Sequence, residues 1–140
     1  MQRSFSGSPY EQMFGFCRAL RLRDRILIAG TAPIPSPGGL VATGAHDQMM
    51  RCGSIVREAL EGLGSTMDQV VRTRVYITDP KDAEDVGRAH ATLFGGHPPV
   101  ATMVIVAGLL DPAWKVEFEA EAEIHESVER AEGPRSQTNL

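Results

Sequence analysis

Between Lys115 and Ile124 the chain alternates strictly, with Val116, Phe118, Ala120 and Ala122 on one face and Glu117, Glu119, Glu121 and Glu123 on the other. This pattern fits a strand with one face in a core and the other against water or cations, because neighbouring carboxylates repel unless something separates them. Arg72 and Arg74 offer such cations. They fall with Tyr76 on one face of a second expected strand, Gln69 to Thr78, whose other face carries Val71, Thr73, Val75 and Ile77. The expected arrangement is an ion-pair network at a subunit interface for Glu119 and Glu121. Glu117 has a second reading, as a carboxylate of raised pKa that faces a cleft and positions water as a general base.

The core face of these strands needs a cover, and two segments supply it. From Asp47 to Leu63, Cys52, Ile55, Val56, Ala59, Leu60 and Leu63 recur at helical spacing, and Arg51, Arg57, Glu58 and Glu61 occupy the opposite, solvated face. Asp79-Pro80 reads as an N-cap followed by proline at the first helical position, starting a helix that runs to Phe94 and stops at Gly95-Gly96. Upstream, Met13 to Leu22 reads as a first strand and Ile26 to Gly30 as a second. The proline- and glycine-rich stretch from Pro33 to Gly39 reads as a loop, with Leu40-Val41 as a short edge strand. Val100 to Val106 is β-branched and apolar, and reads as a further strand. The resulting order is β-β-(β)-α-β-α-β-β, an α+β domain over residues 1–126 with a disordered tail over 127–140. Two helices with one apolar face each cover a single side of the sheet, so the bare side is expected to find a symmetric partner.

Composition narrows the function. A chain of 140 residues with net charge -4 has no basic excess to neutralise phosphates, which argues against a nucleic-acid partner. The longest apolar run, Val100 to Leu110, is too short to span a bilayer, and the N-terminus carries no signal-peptide pattern. A soluble cytoplasmic protein is expected, with Cys17 and Cys52 as reduced, core-packing thiols. His46, His90, His97 and His125 lie in separate segments without ligand spacing, so no metal and no cofactor is expected. No G-x-S-x-G elbow surrounds a nucleophile, and Gly30 opens no GxGxxG run.

Three stretches carry a family resemblance. They are Ser6-Gly7-Ser8-Pro9-Tyr10-Glu11 with Gly15 to Ala19 and Ile28 to Thr31; Val70 to Asp79; and Thr102-Met103-Val104 with Leu110-Asp111-Pro112 and Val116 to Ala120. Together they resemble the Rid (YjgF-like, reactive intermediate deaminase) family over about residues 6 to 124. The resemblance implies a chorismate-mutase-like fold, a mixed β-sheet with two helices on one face, assembled as a trimeric barrel with three clefts between subunits. In the family's deaminases an arginine grips the substrate carboxylate through its planar fork. A glutamate on the last strand helps to place water, and a glycine amide, a serine, a tyrosine and an asparagine complete the pocket.

Matched position by position, Gly30 keeps the glycine and Glu117 the glutamate. Ala101 stands at the arginine position, followed by Thr102 and Met103. Phe16 replaces the tyrosine, Ala29 the serine and Gly87 the asparagine. The candidate set is therefore Glu117 as catalytic residue and Phe16, Arg18, Ala29, Gly30, Thr31, Gly87, Ala101, Thr102 and Met103 around a small-molecule ligand. Arg18 either faces solvent or reaches the cleft and replaces the missing cation. The expected function is that of a homotrimer binding a small metabolite, hydrolysing an enamine- or imine-type compound but not a standard 2-imino acid. A non-catalytic binding module is the alternative, and ribonuclease or translation inhibition stands behind both.

Overall fold

The structure is a computed structural model in which residues 1–125 are described. The expected tail over 127–140 lies outside the described residues. In chain order the elements are β1 (Gln2–Ser4), α1 (Pro9–Phe14), β2 (Ala19–Leu22), β3 (Arg25–Thr31), α2 (Ala45–Gly62), β4 (Val70–Ile77), α3 (Ala83–Phe94), β5 (Val100–Ile105) and β6 (Val116–Glu123). They build one mixed sheet of order β1-β2-β3-β6-β4-β5, in which only the β4–β5 pair is parallel.

The strict alternation of β6 explains its central place. Val116, Phe118, Ala120 and Ala122 are all buried, and they meet Ile26 and Ile28 of β3 and Val75 and Ile77 of β4 in one apolar layer. The stripe on α2 closes over this layer, with Cys52, Val56 and Leu60 fully buried, and Val86, Ala89 and Phe94 of α3 complete it. At Gly53 a Cβ would run into the Leu93 side chain, so the small residue lets α2 and α3 approach closely. Thr73 Oγ1 and His90 Nε2 lie 2.8 Å apart and tie α3 to β4, and burial holds the His90 pKa below its ordinary value. Two members of the glutamate face are paired within the chain: Glu121 meets Arg25 at 3.0 Å and Arg74 at 3.6 Å, and Tyr76 donates its hydroxyl to Glu119.

Several expectations need correction. Met13 to Leu22 is not one strand: its first part ends α1, Gly15 turns the chain at φ 75, and only Ala19–Leu22 is extended. Ser8 caps α1 by accepting from Tyr10 N–H, and Pro9 sits at the first helical position, so the helix start uses the same signal as Asp79-Pro80. The short strand β1 pairs with β2 and extends the sheet at the N-terminal edge. Leu40-Val41 forms no strand. Val71 points outward and is 42% exposed, because a register shift between Val70 and Arg72 hands the core position to Val70.

Candidate functional site

The short helix α1 buries a single side chain, and that side chain is Glu11. A carboxylate is stable there only with donors around it. Ser6 supplies its backbone N–H at 2.9 Å and its hydroxyl, and Arg18 places Nε and Nη2 each 3.0 Å from Glu11 Oε2. Arg18 is itself 3% exposed. Its Nη1 donates to the Gly30 carbonyl and to Thr31 Oγ1, the latter at 3.1 Å. The alternative in which Arg18 faces solvent is therefore corrected: the side chain is an internal clamp joining α1 to the end of β3. The cause is backbone position, since Arg18 N–H donates to Ser4 and its carbonyl accepts from Ala29, which turns the side chain inward.

This clamp borders a cavity of about 60 Å³. Tyr10, Phe16, Leu110 and Trp114 give it apolar walls, and Arg18, Gly30, Thr31 and Glu117 add polar ones. Tyr10 meets Trp114 edge-on at 5.7 Å between ring centroids, and the Arg18 guanidinium carbon lies 5.5 Å from the centre of the Phe16 ring. Buried Gln48 fixes the approach to β6: its amide donates to the Ala42 and Ala113 carbonyls, and its oxygen accepts from Lys115 N–H at 2.7 Å.

Glu117 is held differently from the other glutamates on its strand. Among the described residues its carboxylate makes no salt bridge. Burial raises its pKa above the ordinary carboxylate range, the Arg18 charge draws it back, and Glu119 pushes it further up. The room for this carboxylate comes from Gly30. One extra residue separates Ile28 from Thr31 relative to the paired stretch of β6, and a Cβ at Gly30 would overlap Glu117 Oε1.

The structure thus gathers five of the sequence candidates, Phe16, Arg18, Gly30, Thr31 and Glu117, around one cavity. Ala29 lies apart, in an open depression on the sheet with Cys17 and Glu119. Ala101, Thr102 and Met103 sit on the edge strand β5. Ala101 aligns with Thr73 and through it with Ala120, three residues along β6 from Glu117 and two strands across. Strand spacing and rise put Ala101 roughly 14 Å from Glu117 within one chain. Met103 packs against the core, and Gly87 lies within α3 with open space where a Cβ would stand. Tyr10, Leu110 and Trp114 of the cavity wall, and Glu11 behind Arg18, are residues that side-chain chemistry alone did not single out. The available signal was the motif Ser6 to Glu11, which contains the clamp's carboxylate. No group of three or more His, Cys, Asp or Glu residues is placed to hold a metal among the described residues.

The fold and this site define the class. The family model described as Endoribonuclease L-PSP matches residues 9–124, and the chain belongs to that family, whose members also bear the names YjgF, RutC and Rid. The chain is 35% identical over 122 residues to the protein SCO2049 of Streptomyces coelicolor, a match covering 87% of this chain and 91% of that one. It also resembles the crystal structure of Rv2704 from Mycobacterium tuberculosis, a YjgF/YER057c/UK114 family member. There the TM-score is 0.81 at 34% identity, over 88% of this chain and 98% of the other. The YjgF protein of E. coli superposes with a TM-score of 0.75 at 23% identity, over 88% and 94% of the two chains, which is a likeness of fold. No described helix is long and apolar enough to cross a membrane.

Proposed function

We propose that the chain forms a homotrimer that binds a small metabolite in clefts between subunits and hydrolyses an enamine- or imine-type compound there. The observation that carries this reading is Glu117, a half-buried carboxyl group of raised pKa on the wall of a small cavity with aromatic sides. Such a group serves as acid and base in turn. Protonated, it gives its proton to the enamine carbon or the imine nitrogen. As carboxylate, it takes a proton from the water that adds to the C=N carbon. Collapse of the resulting carbinolamine expels the amine and leaves a carbonyl.

The standard 2-imino acid route is not part of this proposal. Ala101 cannot grip a carboxylate, and the guanidinium of Arg18 is already engaged by Glu11, Gly30 and Thr31. Support for assembly comes from β5, an edge strand whose Val100, Val104 and Ile105 are exposed. In such an assembly Ala101 and Thr102 would approach the cavity from a neighbouring copy. Ribonuclease action has no support in the charge of the chain.

The test is an assay of purified protein on freshly generated 2-aminoacrylate and on imines that lack the carboxylate. Turnover is expected on the second group and not on the first. Absence of turnover on both, with a ligand still bound, would leave a non-catalytic binding module, the reading favoured by the lack of a second hydrogen-bonded acid or base at Glu117. A sedimenting species near the chain mass of 15.2 kDa would overturn the trimer.

A further inference from the structure

We infer that the cavity takes its ligand through a cationic or hydrogen-bond-donating nitrogen and rejects carboxylates, and that Glu11 sets this preference by occupying Arg18. The inference rests on the proposed site but not on turnover. Of the ionised groups at the cavity, Arg18 is neutralised by Glu11 at 3.0 Å, in a pair whose side chains are 4% and 3% exposed. Glu117 has no such partner among the described residues, so its ionised form leaves the wall with one uncompensated negative charge.

Donor geometry agrees. Nε and Nη2 of Arg18 are directed at Glu11, and both Nη1 hydrogens are spent on Gly30 and Thr31. Only one guanidinium N–H remains, which is too few for the bidentate grip that gives an arginine its carboxylate selectivity. An anionic ligand would therefore meet Glu117 without a compensating fork. A protonated amine or iminium nitrogen would instead gain Glu117 as a partner, in a cavity also walled by the aromatic side chains of Tyr10 and Trp114. The Gly30 carbonyl already accepts from Arg18, and among the charged groups of the wall the Glu117 carboxylate is the one that directs a cationic nitrogen. Glu11 is a specificity-determining residue in this scheme, because it acts on the ligand through Arg18 and does not touch it.

Isobutylamine, isobutanol and isobutyrate share a skeleton and differ in the recognised group, so their binding to the full-length protein separates the possibilities. Titration at neutral pH and fixed ionic strength, followed by NMR shifts of the Trp114 indole, is expected to rank the amine at least ~10-fold tighter than isobutyrate. Glu117→Gln is expected to erase that preference. Glu11→Gln, which frees the fork of Arg18, is expected to move isobutyrate towards or past the amine. Equal or tighter binding of isobutyrate by the unmodified protein would overturn the inference, as would failure of all three probes to bind. Should Glu11→Gln fail to fold, the ranking in the unmodified protein and in Glu117→Gln decides. Amine selectivity without imine turnover would retain the ligand class and remove the hydrolytic reading. Fast turnover of 2-aminoacrylate would do the reverse.

Discussion

Glu117 and Glu121 are the same residue type on the same face of β6, four positions apart, and their surroundings differ in kind. Glu121 is 24% exposed and pairs with Arg25 and Arg74, both of which reach water. Glu117 lies beside a glycine, on a cavity wall shared with aromatic side chains, and the Arg18 charge that acts on it is already neutralised by Glu11. A strand pattern assigns both to a polar face. What separates them is the neighbouring strand: β3 bulges before Thr31 and opens space at one end of β6 while staying in register at the other. The carboxylate at the paired end meets cations on the neighbouring strands, and the carboxylate at the bulged end faces the cavity without an ion-pair partner among the described residues.

The largest effect should come from removing the unpaired member. Glu117→Gln is expected to lower imine hydrolysis by about 10²- to 10⁴-fold with the fold intact by circular dichroism, whereas Glu121→Gln should leave turnover unchanged. Equal losses would erase the distinction between the two ends. Next is the buried clamp, set against the exposed pair. Glu11→Ala strands the Arg18 charge and should cost about 3–5 kcal/mol in urea unfolding. Gly30→Ala sharpens the spatial argument. The added methyl displaces only the tip of a flexible side chain, so stability should change by less than about 1 kcal/mol. Turnover should fall by about 10-fold or more because the carboxylate is moved.

Acid dependence gives a smaller effect with a definite sign. The folded-state pKa of Glu117 is raised, so its contribution is fully present at pH below the ordinary carboxylate value. It is lost as pH rises through the folded value. Glu117→Gln should therefore melt above the parent protein at neutral pH, and the gap should close as the medium is acidified below the ordinary carboxylate range. The smallest effect belongs to Glu121→Gln, which removes a solvent-screened pair and should cost less than about 1 kcal/mol, diminishing with salt.

Periodicity made most of the scaffold legible. The stripe from Cys52 to Leu63 and the alternation of β6 are both driven by burial, and burial leaves a regular trace in sequence. The errors fall where the trace is local or interrupted. Met13 and Phe14 are exposed, so the alternation that suggested a strand reflected no core, and the cap at Ser8-Pro9 was the better guide. Val71 was assigned inward because a bulge adds a residue without marking it. The site was half legible: Gly30 and Glu117 were expected from the family resemblance, and the cavity contains both. Glu11 and Arg18 meet only because a helix and a left-handed turn intervene between them, and no spacing rule connects residues across such a turn.

The central position of β6 has a consequence for how the molecule comes into being. Strands β1 to β3 and strands β4 and β5 form two separate patches of sheet, joined only when β6 enters between β3 and β4. On the ribosome this strand is synthesised after every other described element, so neither patch gains its main hydrogen-bonding neighbour until those elements have been made. Glu117 travels with that final piece, whereas Arg18 and Gly30 wait in the first. A nascent chain interrupted before Val116 would carry the aromatic and basic walls of the cavity without its acid, together with two open sheet edges that chaperones and proteases can recognise. Assembly of the cavity wall is thereby deferred until β6 has been made.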